Sequence, residues 1–141
     1  KISNDLSPHI LSNFGILSAI KSKINELHDE YGIHIECISD MKDRFDEDIE
    51  VSVYRIIEKL LIYFGQMPSI EKIKLYLIYQ NQKIVMMLNS YFDNPPGEEY
   101  KQKAHQELLN IIQRVKHINL TFSTEITYPG LTVNLYFDSK K

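Results

Sequence analysis

The sequence predicts an α+β domain built as a two-layer sandwich, with helices on one face of a mixed, mostly antiparallel sheet. Three segments carry apolar residues at helical spacing on a single stripe, and five short segments have the alternation or the apolar runs of strands. Their order is helix, strand, helix, strand, strand, helix, strand, strand, which favours helices laid on one side of one sheet. The length of 141 residues and the 43% hydrophobic content suit one domain with a single core.

The helices are predicted from their end signals and from their apolar stripes. Ser7-Pro8 is a helix-start signal, and Gly15 interrupts the pattern before a second helical segment begins at Ile16. Gly32 suits the end of that helix, and the acidic residues that open the next helix are favoured there by the helix dipole. The stripes consist of Ile16, Ile20, Ile24, Leu27 and Tyr31, then of Ile49, Val53, Ile56, Leu60 and Phe64, and last of Ala104, Leu108, Ile111, Ile112 and Val115.

The strands are predicted from alternation and from the breaks that separate them. A turn over residues 80–82 joins two neighbouring antiparallel strands, the second of which is the apolar run from Ile84 to Leu88. Residues 93–97 form the strongest break in the chain, and the Pro129-Gly130 corner suits a type II turn between the last two strands. The alternating residues are Ile33, Ile35 and Cys37, then Ile73, Leu75, Leu77 and Tyr79, then Ile118, Leu120, Phe122 and Ile126, and finally Leu131, Val133, Leu135 and Phe137.

Composition excludes several classes of function. A net charge of -3 and the absence of a basic stripe argue against a nucleic-acid partner. No apolar run approaches the ~20 residues that span a bilayer, and no signal-peptide pattern opens the chain. The single cysteine, Cys37, fits a reducing compartment and is expected to be a small core residue. Because the chain begins at Lys1, without a methionine, we expect a piece of a longer, cytoplasmic protein whose membrane anchor, where it has one, lies upstream.

Three motifs, in the right order and at the right spacing, resemble those of one protein family. Residues 3–11 and 14–20 are similar to S-H-x-L-x-P-x-x-L followed by F-G-L-x-x-A-L, Val53–Leu61 to the first part of L-Y-R-I-I-Q-E-L-L-x-N-x-x-K-H-A, and Asn110–Val115 to N-I-x-x-R-V. These motifs belong to the sensor histidine kinases, whose ATP-binding domain shares a superfamily with gyrase and MutL. The resemblance implies that fold for residues 15–141. It makes residues 1–14 the tail end of a dimerisation-helix segment or a connector.

The second motif lacks the polar residues on which the family's ATP site depends. Where the family helix has Glu and Asn, this chain has Lys59 and Tyr63, and where the family has Lys and His, it has Gln66 and Met67. The resemblance assigns the Glu to positioning or activating the attacking group and the Asn to the Mg²⁺ between the phosphates. A charged lysine cannot accept a proton, and a tyrosine has the wrong reach and bulk for that cation.

The adenine-binding motif, D-x-G-x-G, is expected directly after the run that ends at Leu88. The simplest alignment places Ser90 at the Asp and Phe92 and Asn94 at the glycines. Asp93 takes the adenine-binding position only after a shift of three residues, and prolines then stand where the glycines belong.

The glycine-rich hinge of the family's lid is also replaced, by His105–Leu108, whose side chains would keep backbone N–H groups away from a phosphate. Only Gly130 and Thr132 resemble the family's final G-T pair. We therefore interpret one set of ATP-site positions as vestigial, and we expect no catalytic residue, no metal ligand and no bound cofactor. The vestigial positions are Lys59, Tyr63, Gln66, Ser90, Asp93 and Thr132.

Residues Glu26–Asp29 have the letters E-L-H-D of the family's phosphoacceptor box. In the family the acceptor lies far upstream, on the first dimerisation helix, so we interpret His28 as a surface histidine near a helix end, where the helix dipole favours it. No histidine lies at i, i+4 spacing from another histidine or from Cys37, so a metal site is not expected.

The sequence therefore predicts a non-catalytic, histidine-kinase-like signalling domain, a pseudo-ATPase that serves as an interaction or scaffold module of a two-component system. Its expected partners are a response regulator or kinase dimerisation helices, without direct membrane contact. Two alternatives stay open. One is a working, ATP-dependent protein histidine kinase domain that binds ATP and Mg²⁺ in a remodelled site with Asp93. The other is a histidine phosphotransferase in which this domain docks a response regulator; fold alone does not choose among the three.

Overall fold

A computed structural model of the chain describes residues 7–94, 97–115, 118–127 and 130–139. Within these residues the chain forms four helices and five strands, in the predicted order with one short helix added before it. The helices are α1 (Ser7–Phe14), α2 (Ile16–Tyr31), α3 (Glu47–Gly65) and α4 (Glu98–Arg114). The strands are β1 (Ile35–Ile38), β2 (Ile70–Gln80), β3 (Lys83–Phe92), β4 (Leu120–Thr127) and β5 (Gly130–Asp138).

The five strands form one mixed sheet in the order β1-β2-β3-β5-β4. Strands β1 and β2 are parallel, and the other three neighbouring pairs are antiparallel. In the register Leu75 lies opposite Leu88, which lies opposite Val133, and all three side chains are buried on the face that the helices cover. The predicted fold class, a two-layer α+β sandwich, is confirmed.

The turns that close the sheet follow from local backbone requirements. Asn81 and Gln82 both have positive φ, 52° and 62°, which is the conformation of a tight two-residue hairpin between β2 and β3. Gly15 has φ 97° between α1 and α2, and Gly32 ends α2 in the left-handed region at φ 69°. The predicted type II corner at Pro129 lies outside the described residues, and Gly130 is the first residue of β5.

The core lies between the sheet and the apolar stripes of α2, α3 and α4. Phe64 and Phe137 are among its largest fully buried side chains, and burying a side chain of this kind contributes about 1.5–3 kcal/mol relative to leaving it exposed. Cys37 is partly buried against this core, as predicted, and burial raises the pKa of its thiol above the ordinary value.

Two aromatic residues that the patterns placed in the core are exposed. Tyr31 is the last residue of α2 and is 61% exposed, because the helix ends there at the edge of the layer. Tyr79 lies near the end of β2 and is 37% exposed, and its ring packs edge-on against Phe45 with centroids 4.9 Å apart. Val115, predicted as part of α4, has an extended backbone directly after the helix but still packs against the core.

One arginine links the end of helix α1 to α3. The guanidinium of Arg44 donates two hydrogen bonds to the buried carboxylate of Glu50 and others to carbonyl oxygens at the end of α1, among them Ser12 at 3.1 Å. A Cβ on Gly15 would lie 2.8 Å from Cδ of Arg44. The close approach and the positive φ together require glycine at this junction.

Candidate functional site

A groove between α3 and α4 contains three of the positions that the sequence predicts to be vestigial. Lys59 and Tyr63 lie at i and i+4 on α3, and Gln66, the C-cap residue directly after the helix, follows at i+7, so the three lie on the same side of the helix. The groove has a volume of about 340 Å³, and its lining comprises Lys59, Ile62, Tyr63, Gln66, Glu107, Asn110, Ile111 and Arg114. The three sequence-predicted positions on α3 are therefore brought together, and α4 supplies the opposite wall.

The charges of the groove differ from those of a metal–phosphate site. Lys59 and Arg114 face it from opposite helices, and no described carboxylate lies within ion-pairing distance of either side chain. Burial raises the pKa of the Tyr63 phenol above its ordinary value, and the negative charge of Glu107 raises that pKa further. Tyr63 is thus a neutral phenol at physiological pH, flanked by cations that can bind an anionic group directly.

Ser90, which aligns with the family's adenine-binding Asp, has its hydroxyl hydrogen-bonded to the backbone of the neighbouring strand. Its side chain is buried; Oγ donates to the carbonyl of Leu131 at 3.0 Å and accepts from the N–H of Leu131 at 3.3 Å. A Cβ on Gly130 would lie 1.6 Å from the carbonyl oxygen of Ser90, so only glycine fits there. The hydroxyl therefore serves the pairing of β3 with β5.

Strand β3 is longer than predicted and absorbs the segment in which a nucleotide-binding loop was sought. It runs to Phe92, four residues beyond the expected end at Leu88, so Ser90 and Phe92 are strand residues that point into the core. Asp93 follows the strand and is exposed; its backbone N–H donates to the carbonyl of Ser69 at 2.9 Å. The Asp93 side chain is not part of the groove lining.

Thr132 lies on the opposite face of the sheet from Ser90. Because side chains alternate along a strand, the pairing of Thr132 with Asn89 places both on the face away from the helices. The Thr132 hydroxyl donates to Oδ1 of Asn89 at 2.8 Å. Of the six positions predicted to be vestigial, Lys59, Tyr63 and Gln66 line one groove, and Ser90, Asp93 and Thr132 lie elsewhere.

The two histidines that the sequence motifs singled out, His105 and His28, do not line the groove. His105 lies within α4, with its ring centroid 5.1 Å from that of Phe122, so the predicted replacement of the lid hinge is continuous helix. The side chain of His28 is 56% exposed near the end of α2, as expected for a surface histidine. Among the described residues, no group of three or more His, Cys, Asp or Glu side chains is arranged to hold a metal ion.

The wall of the groove that α4 provides was not predicted from the sequence. Asn110 and Arg114 belong to the third motif, but no role was assigned to them from the sequence. The available signal was their spacing, since Glu107, Asn110 and Arg114 lie at i, i+3 and i+7 on one face of α4.

The chain is similar to histidine kinases in sequence and in structure. No family model matches the chain. Over 85 residues it is 26% identical to the oxygen sensor histidine kinase NreB of Staphylococcus carnosus, a stretch that covers 60% of this chain and 24% of NreB. The catalytic domain of histidine kinase ThkA matches with a TM-score of 0.53 and 18% identity over 96% of this chain and 92% of that domain. The chain has the fold of a histidine-kinase catalytic domain.

A second solved histidine kinase has the same fold. The blue-light activated histidine kinase of Erythrobacter litoralis matches with a TM-score of 0.60 and 10% identity, covering 94% of this chain and 46% of that kinase. The chain thus spans about a quarter of NreB and about half of the Erythrobacter kinase. Within the described part of the chain, no helix is both long enough and apolar enough to cross a membrane.

Proposed function

We propose that the chain is a non-catalytic, histidine-kinase-like domain that acts as an interaction or scaffold module of a two-component signalling protein. The observation that carries this proposal is the charge at the centre of the groove. Lys59 and Tyr63 line it at the positions where the resemblance requires a carboxylate and an amide oxygen. An ammonium group repels Mg²⁺, which is bound through oxygen ligands, so the metal that bridges the nucleotide phosphates has no support there.

The surroundings of the remaining positions support the same proposal. The hydroxyl of Ser90 is occupied by the backbone of Leu131, and Thr132 lies on the other face of the sheet. A nucleotide placed in the groove would make neither contact. Each unmade polar contact in a buried site costs ~1–3 kcal/mol, so the loss of several moves affinity for ATP out of the physiological range.

The partners proposed for this domain are other proteins of the pathway, namely a response regulator or kinase dimerisation helices. Helix α1 lies in residues 1–14, which we interpret as the tail of a dimerisation segment or a connector, and Arg44 ties the end of that helix to α3. A displacement of whatever precedes α1 would therefore act on the helix that lines the groove. We propose a cytoplasmic location, as for the signalling portion of a sensor protein.

Thermal unfolding with millimolar ATP and Mg²⁺ tests the proposal. A ligand present at 100 times its dissociation constant would stabilise the fold by ~2.7 kcal/mol, which is readily seen as a raised midpoint. We expect no rise. A rise of several degrees that disappears in the Asp93→Asn variant would establish the remodelled ATP site in place of the scaffold function.

A further inference from the structure

We propose that the seam between α3 and α4 is a docking groove for an acidic amphipathic helix of a partner protein. This inference rests on the proposed function, because a site that held nucleotide would not be free for a protein segment. It goes beyond that function by naming the surface and the chemistry of the segment that fills it.

The shape of the seam suits a helix better than a small molecule. A second cavity of about 390 Å³ adjoins the first, and the two share Arg114 in their walls. On the α3 side the combined lining extends from Glu47 to Gln66, about 28 Å at the rise of a helix, whereas on α4 it extends from Glu107 to Arg114, about 10 Å. The α3 side is long enough for a docked helix of about five turns, which α4 would flank over about two turns.

The floor of the seam is apolar and incompletely covered. Val51, Ile62 and Val115 line it and are only partly buried, although they pack against the core. An apolar helical stripe would remove these side chains from water.

The charges decide which helix fits. Arg55, Lys59 and Arg114 all line the seam, and none has an ion-pair or hydrogen-bond partner among the described residues. Arg55 and Lys59 lie at i, i+4, where like charges repel. The seam's own carboxylates lie towards its ends, with Glu47 and Asp48 at the start of α3 and Glu107 beside Tyr63. The middle of the seam is therefore cationic and is complementary to carboxylates in the middle of the docked helix.

The test uses a fluorescein-labelled 20-residue peptide with leucines on one helical stripe and glutamates flanking it. A matched peptide carries lysine at every glutamate position. Fluorescence anisotropy is measured with the chain, with the triple variant Arg55→Gln, Lys59→Gln, Arg114→Gln, and with a control triple variant, Lys21→Gln, Lys42→Gln, Lys83→Gln. The control removes the same charge from exposed lysines outside the seam. Circular dichroism checks that each variant is folded, and the single variant Arg114→Gln replaces the triple variant if it is not.

We expect the glutamate peptide to bind and the lysine peptide not to bind. The seam variant should weaken binding at least tenfold, the control variant less than twofold, and added salt should weaken the interaction with the parent chain. Equal binding of both peptides, equal effects of the two variants, or full displacement of the peptide by micromolar tripolyphosphate would each overturn the docking groove. Tripolyphosphate displacement would assign the seam to a small polyanion instead. Stabilisation by ATP with Mg²⁺ would overturn the proposed function as well, whereas a peptide that fails to bind in the absence of such stabilisation overturns only this inference.

Discussion

The carboxylate of Glu50 accepts two hydrogen bonds from the guanidinium of Arg44, at 2.9 and 3.1 Å. A third hydrogen bond, from the backbone N–H of Phe45 at 3.1 Å, completes the shell of this buried carboxylate. Because Arg44 also donates to carbonyls at the end of α1, the pair joins the loop between β1 and α3 to both α1 and α3. The pair therefore ties the end of α1 to the first turn of α3.

Removing either partner should destabilise the fold, and the two losses should not add. Arg44→Ala leaves a buried carboxylate without its cation, whereas the double variant with Glu50→Ala removes both charges. Urea unfolding should give a double variant that is less destabilised than the sum of the two single variants. The exposed pair Glu99 and Lys103 on α4 is the control, and a coupling there of only ~0.3–0.5 kcal/mol is expected. Additive losses at Arg44 and Glu50 would show that the pair does not join the elements.

Gly130→Ala should be among the most damaging single substitutions in the chain. The added Cβ would meet backbone at 1.6 Å, and backbone cannot move aside as the end of a side chain can. We expect a loss of ~3 kcal/mol, the upper end of the range for overpacking, measured as a lowered midpoint of urea unfolding. Gly97→Ala is the matched control, since nothing lies within 4 Å of its Cβ position, and it should cost under ~1 kcal/mol. Equal effects of the two substitutions would contradict the close approach of β5 to β3.

Tyr63 should titrate at higher pH than an exposed tyrosine. Burial and the charge of Glu107 both raise the pKa of its phenol, so folding favours the neutral form. A raised folded pKa gives a stabilising contribution that is fully present below the unfolded value of ~10 and is lost as the pH rises through the folded value. Ultraviolet titration of the chain minus that of Tyr63→Phe isolates this residue, and Glu107→Gln should lower its pKa. An unchanged titration in Glu107→Gln would place the two side chains farther apart than the structure has them.

Much of the fold was predictable because its signals are local. Gly15 and Gly32 marked the ends of helical segments, and the apolar stripes of α2 to α4 identified the faces that meet the sheet. The end of β3 was misplaced because a loop motif was expected after Leu88. The alternation in fact continues, with Ser90 and Phe92 facing the core. The alternation of buried and exposed residues in β3 was therefore a better guide to the end of the strand than the expected D-x-G-x-G motif.

The candidate site was only half predictable. The positions on α3 follow from helical spacing within one motif, but their partner across the groove, Arg114, lies 55 residues from Lys59 along the chain. Only the packing of α4 against α3 brings these two cations to one groove. The placement of Thr132 on the far face likewise depends on strand register, which is set by long-range pairing with Asn89.

Isothermal titration calorimetry of ATP with Mg²⁺ tests the pseudo-ATPase account most directly. The chain is compared with the double variant Lys59→Glu, Tyr63→Asn, which restores the two residue types that the resemblance requires on α3. The account predicts no saturable heat for the unmodified chain up to millimolar nucleotide. Saturable binding to the unmodified chain with a dissociation constant below ~1 mM, abolished by Asp93→Asn, would contradict it.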